Sequence, residues 1–87
     1  MNGSTPVTTL QPFGLTEGLP LFCINAGVPT DDALEQASNL MACVEAMAAA
    51  DGFPDKQLEA TAIQYLSEAA KAIVLACRQR PVHGSAG

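Results

Sequence analysis

The sequence predicts an all-α fold: an antiparallel two-helix hairpin with a flexible N-terminal arm and a short extended segment, dimerising into a four-helix bundle. Three observations carry this reading. Two long stretches repeat their apolar residues at alternating spacings of three and four, the period of a helix packed along one side. Helix-start and helix-stop signals bracket both stretches. The break between them is short, which favours helices lying side by side.

Residues 1–18 show neither helical nor strand periodicity and are punctuated by Gly3, Pro6, Pro12, Gly14 and Gly18. They read as a flexible arm. Leu19-Pro20-Leu21-Phe22-Cys23-Ile24 is a short apolar run ahead of Asn25-Ala26-Gly27. Pro20 excludes a central strand, yet an extended edge segment from Leu21 to Ile24 is allowed. The folded unit is therefore read as residues 19–80, with helices at about 31–50 and 55–79, followed by a flexible tail over residues 81–87.

The first helix opens at Thr30, a good N-cap, with Asp31 and Asp32 placed where the helix dipole favours negative charge. Leu34, Ala37, Met41, Val44 and Ala48 form its stripe, and Asp51-Gly52 ends it. The second helix starts either with Pro54 in the first turn or with Asp55 as its cap. Its stripe is Leu58, Ala62, Ile63, Leu66, Ala69, Ala70, Ile73, Ala76 and Cys77, and Pro81 stops it.

Composition narrows the function. Nine Asp/Glu stand against four Lys/Arg, a net charge of −5. Such a chain repels phosphate backbones and anionic membranes, so neither nucleic acid nor membrane is an expected partner. No stretch reaches the length of a spanning helix, and no basic n-region opens the chain, so a cytoplasmic location is expected. Cys23, Cys43 and Cys77 are an odd number at wide spacing, read as reduced apolar thiols rather than a disulfide framework. His83 is the only histidine and falls in a Pro/Gly/Ser tail, without the rigid support a general base needs. Neither paired metal ligands nor a glycine-rich phosphate loop is present in the sequence, so no metal, no cofactor and no enzymatic activity are expected.

Apolar residues make up 48% of the chain, but many are alanines that bury little area. The second helix is also apolar beyond one stripe, with Tyr65 and Leu75 on one flank and Val74 on another. A lone hairpin covers one face of each helix, so the surplus calls for a partner surface. A homodimer is expected, with Leu21, Phe22 and Ile24 joining Tyr65, Val74 and Leu75 as the candidate interface. The leading functional expectation is a small non-enzymatic protein–protein interaction module. The alternative is a small-molecule binder using an apolar cavity between the helices of a dimer. An acidic mimic of nucleic acid would need denser carboxylates than this chain carries.

The segment from Leu21 to Ser38 contains Gly27-Val28-Pro29, then Ala33-Leu34 and Gln36-Ala37-Ser38. Tyr65-Leu66 and Lys71-Ala72 follow in the second helix. In these motifs residues 21 to 77 resemble a family of short bacterial proteins of unknown function. The resemblance implies a helical hairpin and a bacterial source. That family has no established activity, so the resemblance transfers no functional residue.

Overall fold

The computed structural model describes residues 6–50 and 54–78. Four elements follow in order: β1 (Gln11–Thr16), β2 (Leu19–Ile24), α1 (Thr30–Ala50) and α2 (Lys56–Arg78). The fold is α+β, which corrects the all-α expectation. From Pro6 onward the expected arm is structured, and β1 pairs antiparallel with β2. Residues 1–5 of that arm, the stop at Asp51-Gly52 and the tail at 81–87 lie outside the described residues.

Three features build the hairpin from a proline- and glycine-rich stretch. Glu17 and Gly18 connect the paired ends Thr16 and Leu19 with φ of 56° and 80°. Positive φ at both central residues matches the right-handed twist of the flanking strands. Pro12 and Pro20 are tolerated because each strand of a two-stranded sheet is an edge. Gly14 has φ 69°, and a Cβ there would stand 2.9 Å from Cδ2 of Phe22. The missing side chain makes room for the ring.

Directly opposed residues share a sheet face. The pairs Phe13–Phe22, Gln11–Ile24 and Leu15–Pro20 therefore mark one face. That face meets the helices, since Phe22 reaches Tyr65 of α2 and Ile24 packs on the buried core. The strand β1 makes most of the hairpin's contact with α2.

A strap of residues 6–9 ties the sheet to both helices. Thr8 is 2% exposed. Its N–H donates to the Val28 carbonyl at 2.8 Å, and its carbonyl accepts from Gly27 N–H at 2.9 Å. Its hydroxyl donates to the Asn25 carbonyl at 2.8 Å and accepts from Val28 N–H at 3.1 Å. Thr9 donates to the Ala76 carbonyl from its N–H at 3.0 Å and from its hydroxyl at 3.2 Å. Ala76 lies in the last turn of α2, where carbonyls run out of partners along the helix.

The strap also changes how α1 begins. Thr30 was expected as its N-cap, but the Pro29 carbonyl takes the first helical bond, from Ala33 N–H at 3.0 Å. Thr30 is already helical, and its N–H donates to the Pro6 carbonyl at 3.0 Å. At α2 the open choice falls to Asp55. Its Oδ1 accepts from the N–H groups of Gln57 and Leu58 at 3.0 and 3.1 Å, a side-chain N-cap.

Ala33 and Ala37 of α1 and Ala70 and Ile73 of α2 form the buried cluster, joined by partly buried Ile24, Leu40 and Cys77, while Ala72 and Ala76 are buried elsewhere on α2, Ala72 under β1. Leu34, Met41 and Leu58, expected in the helix stripes, are 42%, 41% and 57% exposed. Alanine keeps the pair close, and the larger side chains fall to its edges.

Two substitutions test this construction by urea unfolding. Thr8→Val keeps the shape but strands the Val28 N–H and the Asn25 carbonyl, and should cost roughly 2–3 kcal/mol. Gly14→Ala adds strain at positive φ and displaces Phe22, and should cost about 1–3 kcal/mol. Near-neutral behaviour of both would mean that strap and hairpin contribute little to the fold.

Candidate interaction surfaces

Groups that could carry chemistry are sparse and scattered. Among the described residues no three His, Cys, Asp or Glu side chains are grouped as a metal site would require. His83 lies outside the described residues. Cys23 and Cys43 are exposed, while Cys77 is half-buried and points its thiol at the Thr30 carbonyl, 3.9 Å away. Burial pushes the Cys77 thiol pKa above its ordinary value. No helix among the described residues is long and apolar enough to cross a membrane.

Concave apolar surface is what the chain does present, and it falls on two sides of α2. On one side α1 and α2 form a groove of about 570 Å³. Leu34, Met41 and Val74 stand along it, with Ala37 and Ala70 between them and Ser38, Ser67 and Lys71 completing the lining. Leu34 and Met41 are seven residues apart, as are Ser67 and Val74, so each pair returns to nearly the same side of its helix after two turns. Lys71 is the one charged residue in this lining.

On the other side the hairpin and α2 enclose a trough of about 330 Å³, lined by Phe13, Phe22, Tyr65, Leu66 and Ala69. Phe13 and Phe22 stack with centroids 5.5 Å apart, and Phe22 meets Tyr65 edge-on at 6.2 Å. Both separations suit favourable aromatic pairing. Tyr65 also lines a smaller pocket of about 170 Å³ with Gly14, Leu15, Thr16, Thr61, Gln64 and Glu68. There the Gln64 side-chain amide donates to Glu68 Oε2 at 3.1 Å and holds the carboxylate in place.

The six candidate interface residues are distributed over several surfaces. Phe22 and Tyr65 come together in the trough. Ile24 packs against the core. Leu75 is half-buried and lines a pocket with Phe13 and Leu15 of β1, because the hairpin covers that side of α2. Val74 faces the opposite groove. Leu21 is 60% exposed on the face of the hairpin turned away from the helices. Tyr65 and Leu75 do not share a flank, since ten residues at 3.6 per turn leave them about 80° apart around the axis. Sequence reasoning missed Phe13, Leu34 and Met41. The seven-residue step from Leu34 to Met41 was a visible signal, but both were assigned to the core. Phe13 gave none without the hairpin.

A family model described as "Protein of unknown function (DUF3077)" matches residues 5–77 and so spans the strap, the hairpin and nearly all of α2. No curated protein and no solved structure matches the sequence.

The thiols give a direct check on the packing. Iodoacetamide at mildly alkaline pH should modify Cys23 and Cys43 quickly. It should modify Cys77 at least several-fold more slowly, because a raised pKa leaves less thiolate at a given pH and burial limits access. Equal rates at all three sites in the folded protein, read by mass spectrometry, would contradict the placement of Cys77.

Proposed function

We infer that this chain, which belongs to the DUF3077 family across residues 5–77, is a non-enzymatic protein-interaction module that acts as a homodimer. The observation that carries this reading is the inversion of its apolar residues. Among the described residues, five of the six buried apolar residues are alanines, whereas twelve large apolar side chains are exposed. Alanine offers little area to the hydrophobic effect, so side chains worth about 1.5–3 kcal/mol each on full burial stand in water instead. Exposed apolar surface grouped into grooves is characteristic of interaction sites.

The α1–α2 groove suits a second copy. In a twofold contact the same patch appears on both partners, so protrusions and hollows must be complementary within one surface. Leu34, Met41 and Val74 supply the protrusions, while Ala37, Ser38, Ser67 and Ala70 supply the hollows. Lys71 can carry its ammonium to the rim and leave its stem on the apolar surface. A ligand cavity has less support, because the groove lies open to solvent where small-molecule sites enclose most of their ligand.

Size-exclusion chromatography with light scattering tests the reading. The wild-type chain should run at twice its mass of 9.0 kDa at micromolar concentration. Val74→Glu should weaken association at least tenfold while keeping its helicity, since the side chain is already exposed in one copy. Leu75→Glu should lower stability instead, because it places a charge beneath β1. A wild-type monomer at high micromolar concentration, or an unchanged dimer in Val74→Glu, would overturn the proposal.

A further inference from the structure

We propose that the aromatic trough and the Glu68 pocket form one bipartite site. It takes a segment of another protein that carries a bulky apolar side chain beside a lysine or arginine. The two halves adjoin because Tyr65 lines both. The trough is walled by Phe13, Phe22, Leu66 and Ala69, so its occupant must be apolar. It is bounded by three aromatic rings packed against one another, and rigid aromatic surface costs little ordering when a partner docks.

The adjoining pocket differs in character. Thr16, Thr61 and Gln64 give it polar walls, and Glu68 gives it a carboxylate. The Gln64 amide fixes that carboxylate at 3.1 Å. Glu17 sits on the turn directly after Thr16, held there by the hairpin. A cation entering this pocket would meet the Glu68 carboxylate and the Tyr65 ring together, and both attract positive charge. Lys71, one turn beyond Glu68, lines the α1–α2 groove and, together with Glu68, the pocket under β1, but it does not line this one. The excess of nine acidic over four basic residues steers basic partners toward the chain and acidic ones away.

This site goes beyond the homodimer and is independent of it. The trough and the α1–α2 groove share no lining residue, so both can be occupied in one complex.

The test is a random peptide library displayed on phage and panned on the immobilised wild-type protein. The best enriched peptide is then synthesised and titrated by fluorescence polarisation. Enriched sequences should place Arg or Lys within a few positions of Leu, Phe or Trp. Glu68→Gln should weaken binding about fivefold and flatten its salt dependence. Tyr65→Ser should weaken it at least tenfold. Glu68→Lys should lose the peptide and regain affinity when the peptide's basic residue is changed to Glu, which a merely misfolded variant would not do. Val74→Glu should bind like wild type, so failure of the dimer and failure of this site are read separately. Enrichment without basic residues, no enrichment at all, or affinities indifferent to both Glu68→Gln and Tyr65→Ser would overturn the proposal.

Discussion

The side chain and backbone of Thr8 hold four hydrogen bonds at once, with Asn25, Gly27 and Val28 as partners. The arrangement of the described residues depends on that junction. It fixes the loop between β2 and α1, and through Pro6 it supplies the acceptor for the first N–H of α1. Its neighbour Thr9 grips the last turn of α2. The ends of both helices are thereby tied to one short strap, and the hairpin that follows it is delivered onto α2. Each bond contributes about 1 kcal/mol net, but breaking the set inside a buried site exposes the larger cost of stranded donors and acceptors. The junction holds because every partner is present.

A polar clasp matters more here because the apolar core is thin. Ala33, Ala37, Ala70, Ala72 and Ala76 let the elements approach closely but leave little area to remove from water. Ile73 is the one large apolar side chain among the described residues that is buried to the same degree. The side chains that would enlarge a core instead stand beside it, as the Leu34–Met41–Val74 groove and the Phe13–Phe22–Tyr65 trough. The same sequence choice that thins the interior thus provides two apolar surfaces on different sides of α2. One is lined by aliphatic and small residues and is the surface we propose for a second copy. The other is aromatic, lies beside a carboxylate, and is the surface we propose for a different partner.

The helices were legible in the sequence because their signals are local. Periodicity and end signals place α1 at about 31–50 and α2 at about 55–79, against Thr30–Ala50 and Lys56–Arg78 in the structure. The extended edge segment at Leu21–Ile24 was legible and is part of β2, but the strand it pairs with was not, because Pro12 and Gly14 argue against a strand taken singly. Their compatibility depends on tertiary facts: both strands are edges, and Gly14 lies under the Phe22 ring. The Glu17-Gly18 turn lacks the Asn-Gly or Asp-Gly pair that would have announced it. Thr8 and Thr9 looked like ordinary loop residues, since their partners lie 17 and 67 residues away. The residues grouped as a candidate interface are spread by the fold over several surfaces. Phe22 meets Tyr65 in the trough, Leu75 lies under the hairpin, and Val74 lines the α1–α2 groove.

The central claim is that an alanine-built interior leaves large apolar side chains exposed, and that association through them, as we propose, adds to the stability of the fold. Thermal unfolding of the wild-type chain, followed by circular dichroism across about a hundredfold range of protein concentration, tests it most directly. Association of folded copies makes Tm rise steadily with concentration, because mass action favours the associated state. A sharp, reversible transition whose Tm stays constant over that range would show that association adds nothing to stability and would contradict the account.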